Sequence, residues 1–245
     1  MARRARSKST KASGKTRTLG PIRWLRRWVL RFLGVLVLLT LLLVSLFAFM
    51  NPPTTPYMLT ERTRLGTLER EWVDLSEVSP VMARAVVAAE DANFCNHWGL
   101  DLQAIRAAIA SGGDRGGSTI SQQTVKNVYL WHGRNYTRKA IEALVTPVVE
   151  AIWSKQRIIE VYLNVAEFDE GVFGVEAAAQ HYFGIPASQL SPMQAGLLAA
   201  ILPSPKTRSA SNPTSDIRQR AQQILDGAAT IERDGRAACF QVGNG

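Results

Sequence analysis

The sequence predicts a mainly α domain carried behind a single N-terminal transmembrane helix. Three observations predict it. Residues 32–50 are an uninterrupted charge-free run rich in Leu, Val and Phe, which as a helix spans about 28 Å, close to the thickness of bilayer hydrocarbon. Beyond residue 59, apolar residues recur at helical spacing between Ser, Thr or Asp caps and Gly or Pro stops. Strand-like alternation is scarce, with Glu69 to Leu75 the one short extended candidate.

Charge divides the chain in the same place. Of 29 Lys and Arg residues, 11 lie between Arg3 and Arg31, where no acidic residue occurs, and residues 51–245 carry a net charge of −2. The basic pI therefore belongs to the arm, which removes the case for a nucleic-acid-binding domain. Few basic residues follow the apolar run, so the positive-inside rule puts the arm, residues 1–31, in the cytoplasm and the domain, residues 59–245, outside it. A cleavable signal peptide would have a shorter apolar core ending in small residues, whereas this one ends Phe47-Ala48-Phe49-Met50-Asn51-Pro52-Pro53. Residues 1–20 read as a disordered tail, Trp24 and Trp28 as interfacial or helix-packing aromatics, and 51–58 as a short Pro-stiffened linker. Cys95 and Cys239 are too few for a disulfide framework or a metal cluster, and the place of Cys95 beside Glu90 favours free thiols. His97, His132 and His181 lack metal-ligand spacing and read as structural.

The elements follow in order. Ser79-Pro80 supplies an N-cap and first position for a largely buried helix ending near Glu90. Asp101 caps a helix that stops at Gly112-Gly113, and the glycine-rich residues 112–117 suit a mobile loop that matches neither nucleotide-binding glycine pattern. Ser118 caps the next helix. Thr137 to Asn164 reads as a long helical region with a kink or break at Pro147. An Ala-rich helix around Glu176 closes at Tyr182-Phe183-Gly184, Ser191-Pro192 opens another through Leu202, and a peripheral amphipathic helix covers about Thr214 to Arg233.

Four stretches carry chemistry. Glu90-Asp91 ends an apolar helix, where a carboxylate opposes the dipole, although such a pair alone is more often an ordinary helix end. Ser118, Thr119, Gln122, Gln123, Lys126 and Asn127 put hydroxyls, amides and one cation on neighbouring helical faces, suited to carbohydrate or phosphate contact or to a solvated surface. Arg138, Lys139 and Glu142 share a helical face, which by itself reads as a surface ion pair. Glu160, within Lys155 to Asn164, reads as a buried polar contact holding the core.

In this order, Glu90-Asp91-x-x-Phe94-x-x-His97-x-Gly99, Gly117-Ser118-Thr119-x-x-Gln122-Gln123-x-x-Lys126-Asn127, Arg138-Lys139-x-x-Glu142 and Lys155-x-x-Ile158-x-Glu160-x-Tyr162-Leu163-Asn164 resemble the ordered motifs of the family 51 peptidoglycan glycosyltransferases, over roughly residues 60–210. The resemblance implies a lysozyme-like helical glycosyltransferase domain that polymerises lipid II into β-1,4-linked strands and releases undecaprenyl pyrophosphate. Glu90 matches the general base. Lys126, Arg138 and Lys139 match cations that would hold the pyrophosphate, and Glu142 would orient them or contact the donor. Ser118, Thr119, Gln122, Gln123 and Asn127 would shape the sugar and phosphate subsites. A divalent cation, Mg or Mn, assists some family members; no other cofactor is implied. The expected partners are lipid II, the growing lipid-linked chain, the membrane and other cell-wall synthesis proteins, with no nucleic acid. The domain would lie on the periplasmic side of the inner membrane, with Tyr129-Leu130-Trp131 meeting the bilayer. Asp169 and Ile185 stand where the family often has Gly and Lys, outside the catalytic set. Two rival readings are a glycan-cleaving enzyme of the lysozyme or lytic transglycosylase kind, which needs no pyrophosphate-binding cations, and a silent membrane-anchored scaffold, which needs neither Glu90 nor Lys126.

Overall fold

The structure, a computed structural model, describes residues 21–110, 117–133 and 135–241. The basic tail of residues 1–20 and the glycine-rich loop, apart from Gly117, lie outside them. The chain divides into one unit ending at Leu42 and a second from Leu43 onward. The first is most of helix α1 (Pro21–Phe49), long and apolar enough to cross a membrane, with a mean hydropathy of 2.8 over its most apolar 18 residues. It begins ahead of the apolar run, so its early turns carry Arg23, Arg26, Arg27 and Arg31.

The second unit runs α2 (Pro56–Leu65), β1 (Glu69–Arg70), α3 (Pro80–Glu90), α4 (Leu102–Ala110), α5 (Ile120–Tyr129), α6 (Tyr136–Ile152), α7 (Lys155–Val165), β2 (Glu167–Asp169), β3 (Val172–Phe173), α8 (Val175–Phe183), α9 (Pro192–Ile201) and α10 (Ser215–Arg233). Local chemistry sets most of these boundaries. Ser154, Ser191 and Thr214 each accept a hydrogen bond from the backbone N–H three residues on, and Asp101 caps α4 through Gln103 and Ala104. Helix α3 packs on α9 and α10, which also pack on each other, while α5 packs on both α6 and α7. A Cβ on Gly196 would lie 3.0 Å from the Ala221 carbonyl oxygen, so glycine permits the close approach of α9 to α10. Phe94, Tyr162, Phe168, Phe173 and Leu198 are among the fully buried side chains, each contributing roughly 1.5–3 kcal/mol by leaving water.

The small sheet has the order β1-β3-β2, with β1 parallel and β2 antiparallel to β3. Asn164 secures the chain leaving β1. Its Oδ1 accepts from the Val73 N–H at 2.9 Å and its Nδ2 donates to the Val73 carbonyl at 2.8 Å, a side-chain copy of a strand pairing. Glu160 accepts from the Leu75 N–H at 3.1 Å. On the preceding turns, Arg157 donates to the carbonyl of Phe47, in the last turn of α1 where it has no helical partner, and to that of Met50 just beyond the helix, while Trp153 Nε1 donates to the Val44 carbonyl.

Several expectations are corrected. The break in the long helical region falls at Trp153-Ser154, where Ser154 caps a new helix, and Pro147 sits inside α6. The N-cap of α5 is Thr119, not Ser118, because Thr119 and Gln122 form a reciprocal capping box. Helix α10 is not peripheral: Ile217, Ala221, Ile224, Ala228 and Ile231 are buried along one face. Leu130 is 6% exposed and Tyr129 lies between the rings of Phe47 and Trp153, so of the proposed bilayer-facing trio only Trp131 is exposed. Cys95 and Cys239 are not free thiols but a disulfide across 144 positions. Packing of α10 against α3 returns the chain end to the loop after Glu90, where Phe240 meets Phe94 with centroids 6.1 Å apart.

Candidate active site

Glu90 is the last residue of α3, where the helix dipole disfavours its charge. The opposing interaction comes from α5: Gln123 Nε2 donates to Glu90 Oε2 at 2.7 Å. The Gln123 amide is itself oriented, because the Tyr162 hydroxyl of α7 donates to its Oε1 at 3.3 Å. Burial, and after it the nearby Glu90 charge, pushes the Tyr162 phenol well above its ordinary pKa, so it stays a donor at any physiological pH. Tyr162 was not among the expected site residues. It sits in a motif whose apolar stripe reads as core, and it is core, except for its oxygen.

The residues around Glu90 knit the loop to the start of α5. Asp91 is 7% exposed; its Oδ2 accepts from the Ile120 N–H at 3.0 Å, and its Oδ1 lies 2.8 Å from His97 Nε2. His97 Nδ1 accepts from the Gly99 N–H, which leaves Nε2 to donate to Asp91. Thr119 donates to the Gly99 carbonyl at 2.6 Å and accepts from Gln122, whose own amide oxygen returns to the Thr119 N–H. Gly99 has φ +82°, and a Cβ there would stand 2.5 Å from Thr146 Cγ2. Thr119 and Gln122 therefore spend their polar groups on the fold, and both are buried. Lys155 closes the far side, donating to the His97 carbonyl and to Glu150 at 2.8 Å each.

The cations come from two helices, Lys126 one turn after Gln123 on α5, and Arg138 and Lys139 at the start of α6. Glu142, 2% exposed, receives Arg138 Nη1 at 2.6 Å on one oxygen and Lys139 on the other. Lys139 also donates to Ser118 at 2.9 Å, and Arg138 Nε donates to the Gly133 carbonyl. Glu142 thus holds two cations in fixed positions instead of presenting a free carboxylate. Lys126 has no hydrogen-bond partner among the described residues. Burial is the main cause that lowers its pKa, with Arg138 and Lys139 acting in the same direction and Glu142 and Glu90 against it.

Lys126, Gln123, Asn127 and Tyr162 line a cavity of about 230 Å³ whose other wall includes Tyr57, His132 and Glu167. Tyr57 stacks on His132 at 3.5 Å between centroids and donates to Glu167 at 2.6 Å. Lys206 lies 3.5 Å from Glu167 and 3.0 Å from Glu61. Burial, followed by the charges of Lys126, Arg138 and Lys206, pulls His132 down to about 4, so its ring is neutral. None of these four residues reads as a site residue in sequence, where His132 reads as structural; they come from α2, the β2 region and two loops, and no local pattern joins them. Among the described residues no group of three or more His, Cys, Asp or Glu side chains is placed to hold a metal ion. With Glu142 already neutralised by two cations, the site's own donors do not fit a protein-held divalent ion.

The arrangement offers an oriented carboxylate, a half-buried ammonium on the cavity wall with no hydrogen-bond partner among the described residues, and a pre-positioned cation pair that acts on that ammonium, which suits proton abstraction beside a developing anionic leaving group. The family model described as Transglycosylase matches residues 58–229. A "Biosynthetic peptidoglycan transglycosylase" of Jannaschia sp. (strain CCS1) is 56% identical over 240 residues, covering 98% of this chain and 99% of that protein. Proteins of the same description from Caulobacter vibrioides and Rhodospirillum centenum are 42% and 46% identical, each covering 89% of this chain and 96% of its own length.

Proposed function

The chain belongs to the transglycosylase family, and from that premise we propose that it is a peptidoglycan glycosyltransferase in which Glu90 is the general base. The substrate is lipid II, added to a growing lipid-linked glycan. Glu90 takes the proton of the acceptor sugar's 4-hydroxyl as that oxygen attacks the donor's anomeric carbon, forming the β-1,4 bond with inversion. The bond from that carbon to the pyrophosphate oxygen breaks, and the electron pair leaves with undecaprenyl pyrophosphate. Lys126, Arg138 and Lys139 stabilise the charge that develops there. Glu142 is a positioning residue for Arg138 and Lys139; Gln123 and Tyr162 position Glu90.

The observation that carries this reading is the juxtaposition of Glu90, held by Gln123, with Lys126, which lacks a partner of its own among the described residues. A cleaving enzyme needs the carboxylate and not the cations. Helix α1 anchors the domain to the inner membrane, with the basic arm cytoplasmic and the domain periplasmic, where lipid-linked sugars are presented. The Cys95–Cys239 disulfide supports an oxidising compartment for the domain.

The test is polymerisation of labelled lipid II by the detergent-solubilised chain. Wild type is expected to make long glycan and Glu90→Gln none, with unchanged melting. Normal polymer from Glu90→Gln would remove the base assignment.

A further inference from the structure

A second cavity, of about 370 Å³, lies apart from the site above, between the linker after α1 and the end of α2. Its lining includes Pro53, Thr54, Arg62, Thr67, Leu68 and Arg70, and no Asp or Glu lines it. Two arginines thus share a concave surface with no counter-charge in its lining among the described residues. Arg70 donates from Nη1 and Nη2 to the carbonyls of Pro53 and Pro52, and its buried Nε has no partner. The guanidinium of Arg62 makes no hydrogen bond or ion pair among the described residues. Three neighbouring carboxylates are engaged elsewhere, Glu61 with Arg64 and Lys206, Glu170 with Arg64, and Glu69 with His181, while the exposed Glu71 makes no ion pair among the described residues and does not line the cavity.

We propose that this cavity is a binding site for a phosphate group, supplied by the headgroup of an anionic lipid. Arginine suits phosphate because its planar fork grips two oxygens; Arg62 offers a whole fork, Arg70 the second N–H on each Nη that its bonds to the linker carbonyls leave over, and Thr54 and Thr67 in the lining carry hydroxyls of the right kind. Burial without a carboxylate partner pulls the Arg70 pKa down, the cost that an anion would relieve. Pro53, Met58 and Leu68 give the cavity an apolar wall that suits the glycerol and first methylenes of a lipid better than a fully hydrated ion. Pro53 is four residues beyond the end of α1, so the cavity begins within about 14 Å of the apolar helix along the chain. The headgroup layer adds roughly 5–8 Å to each side of the hydrocarbon, so it covers the first part of that span. The inference rests on the anchor reading and is independent of the role of Glu90.

The experiment uses the full chain in a neutral detergent, with thermal melting as readout. Dihexanoyl phosphatidylglycerol, dihexanoyl phosphatidylcholine and inorganic phosphate are titrated separately. Phosphatidylglycerol is expected to raise the melting temperature by several degrees, and phosphatidylcholine is not. Arg62→Glu, a surface change that breaks no described bond, is expected to weaken the phosphatidylglycerol response at least tenfold, whereas Arg218→Glu, the same charge change on α10, leaves it intact. An equal response in Arg62→Glu and wild type, or none in wild type, overturns the site. An equal shift from inorganic phosphate, with nothing added by phosphatidylglycerol, assigns the pocket to free phosphate and overturns the lipid source. Alkaline extraction of membranes checks the anchor separately: release of the protein would remove the anchor reading, whatever the titrations give.

Discussion

Replacing Glu142 by Gln removes one charge from a site built around it. The carboxylate is 2% exposed and holds Arg138, itself 12% exposed, and Lys139, 44% exposed. Breaking a buried ion pair by neutralising one partner costs about 3–5 kcal/mol, because the other charge stays buried without compensation. The half-exposed Lys139 adds little, since water screens it and Ser118 remains as an acceptor. The amide that replaces the carboxylate still accepts one hydrogen bond, returning about 1 kcal/mol, so the expected loss is about 3 kcal/mol. For a domain of this size that corresponds to a fall in melting temperature of roughly 6–12 °C. Scanning calorimetry measures it, and lipid II polymerisation on the same samples should fall with it, because Arg138 and Lys139 lose their fixed positions. The double variant Arg138→Met/Glu142→Met should recover most of the stability, as apolar replacement of both members of a buried pair is near neutral, yet remain inactive. A Glu142→Gln protein that melts within a degree of wild type while losing activity would refute the clamp and make Glu142 a group that touches the donor.

Lys126→Met should abolish polymerisation while leaving the melting temperature unchanged or higher at pH 7. The sign follows from burial: a lysine whose pKa is lower folded than unfolded costs stability while charged, and that cost fades as pH rises between its lowered folded value and the unfolded value near ~10.4. The wild type should therefore gain stability through that alkaline window relative to Lys126→Met, and parallel slopes for the two would count against a buried charge. Tyr162→Phe removes the donor that orients Gln123 and should lower kcat several-fold with KM nearly unchanged, for a lost hydrogen bond of about 1 kcal/mol; a change confined to KM would place Tyr162 in substrate binding. Cys239→Ser should cost about 2–5 kcal/mol by freeing a loop of 144 residues, and a chemical denaturation midpoint insensitive to reductant would contradict that contribution.

What can be read from the chain and what cannot divide by range. Ser79-Pro80, Asp101, Ser191-Pro192 and Thr214 place helix starts because a cap and its helix are three or four residues apart. The order of motifs proposes one chemistry for Glu90, Lys126 and Glu142 on the same ground, since each motif is local. The break at Ser154 escapes a reading by propensity because Pro147 is the stronger breaker on that scale, and α6 carries it. Thr119 and Gln122 resemble ligand contacts in sequence since polar side chains at helical spacing carry no mark of where they point; the capping box and the Gly99 carbonyl use them instead. Tyr57, His132, Glu167 and Lys206 meet only after α2 and the chain beyond α9 fold against the β2 region. The disulfide is beyond reach on the same ground: nothing near Cys95 signals the return of a tail 144 positions later.

With Cys95 joined to Cys239, the catalytic body is a closed ring on a stem. Gln123, Lys126, Arg138, Glu142 and Tyr162 all lie inside the ring, while Glu90 lies five positions outside it, on the stem that leads back to α1. A protease that cuts once anywhere within the ring leaves two pieces tied through sulfur, both still attached to the stem. On a non-reducing gel such a molecule migrates near full length, and only reductant separates its fragments.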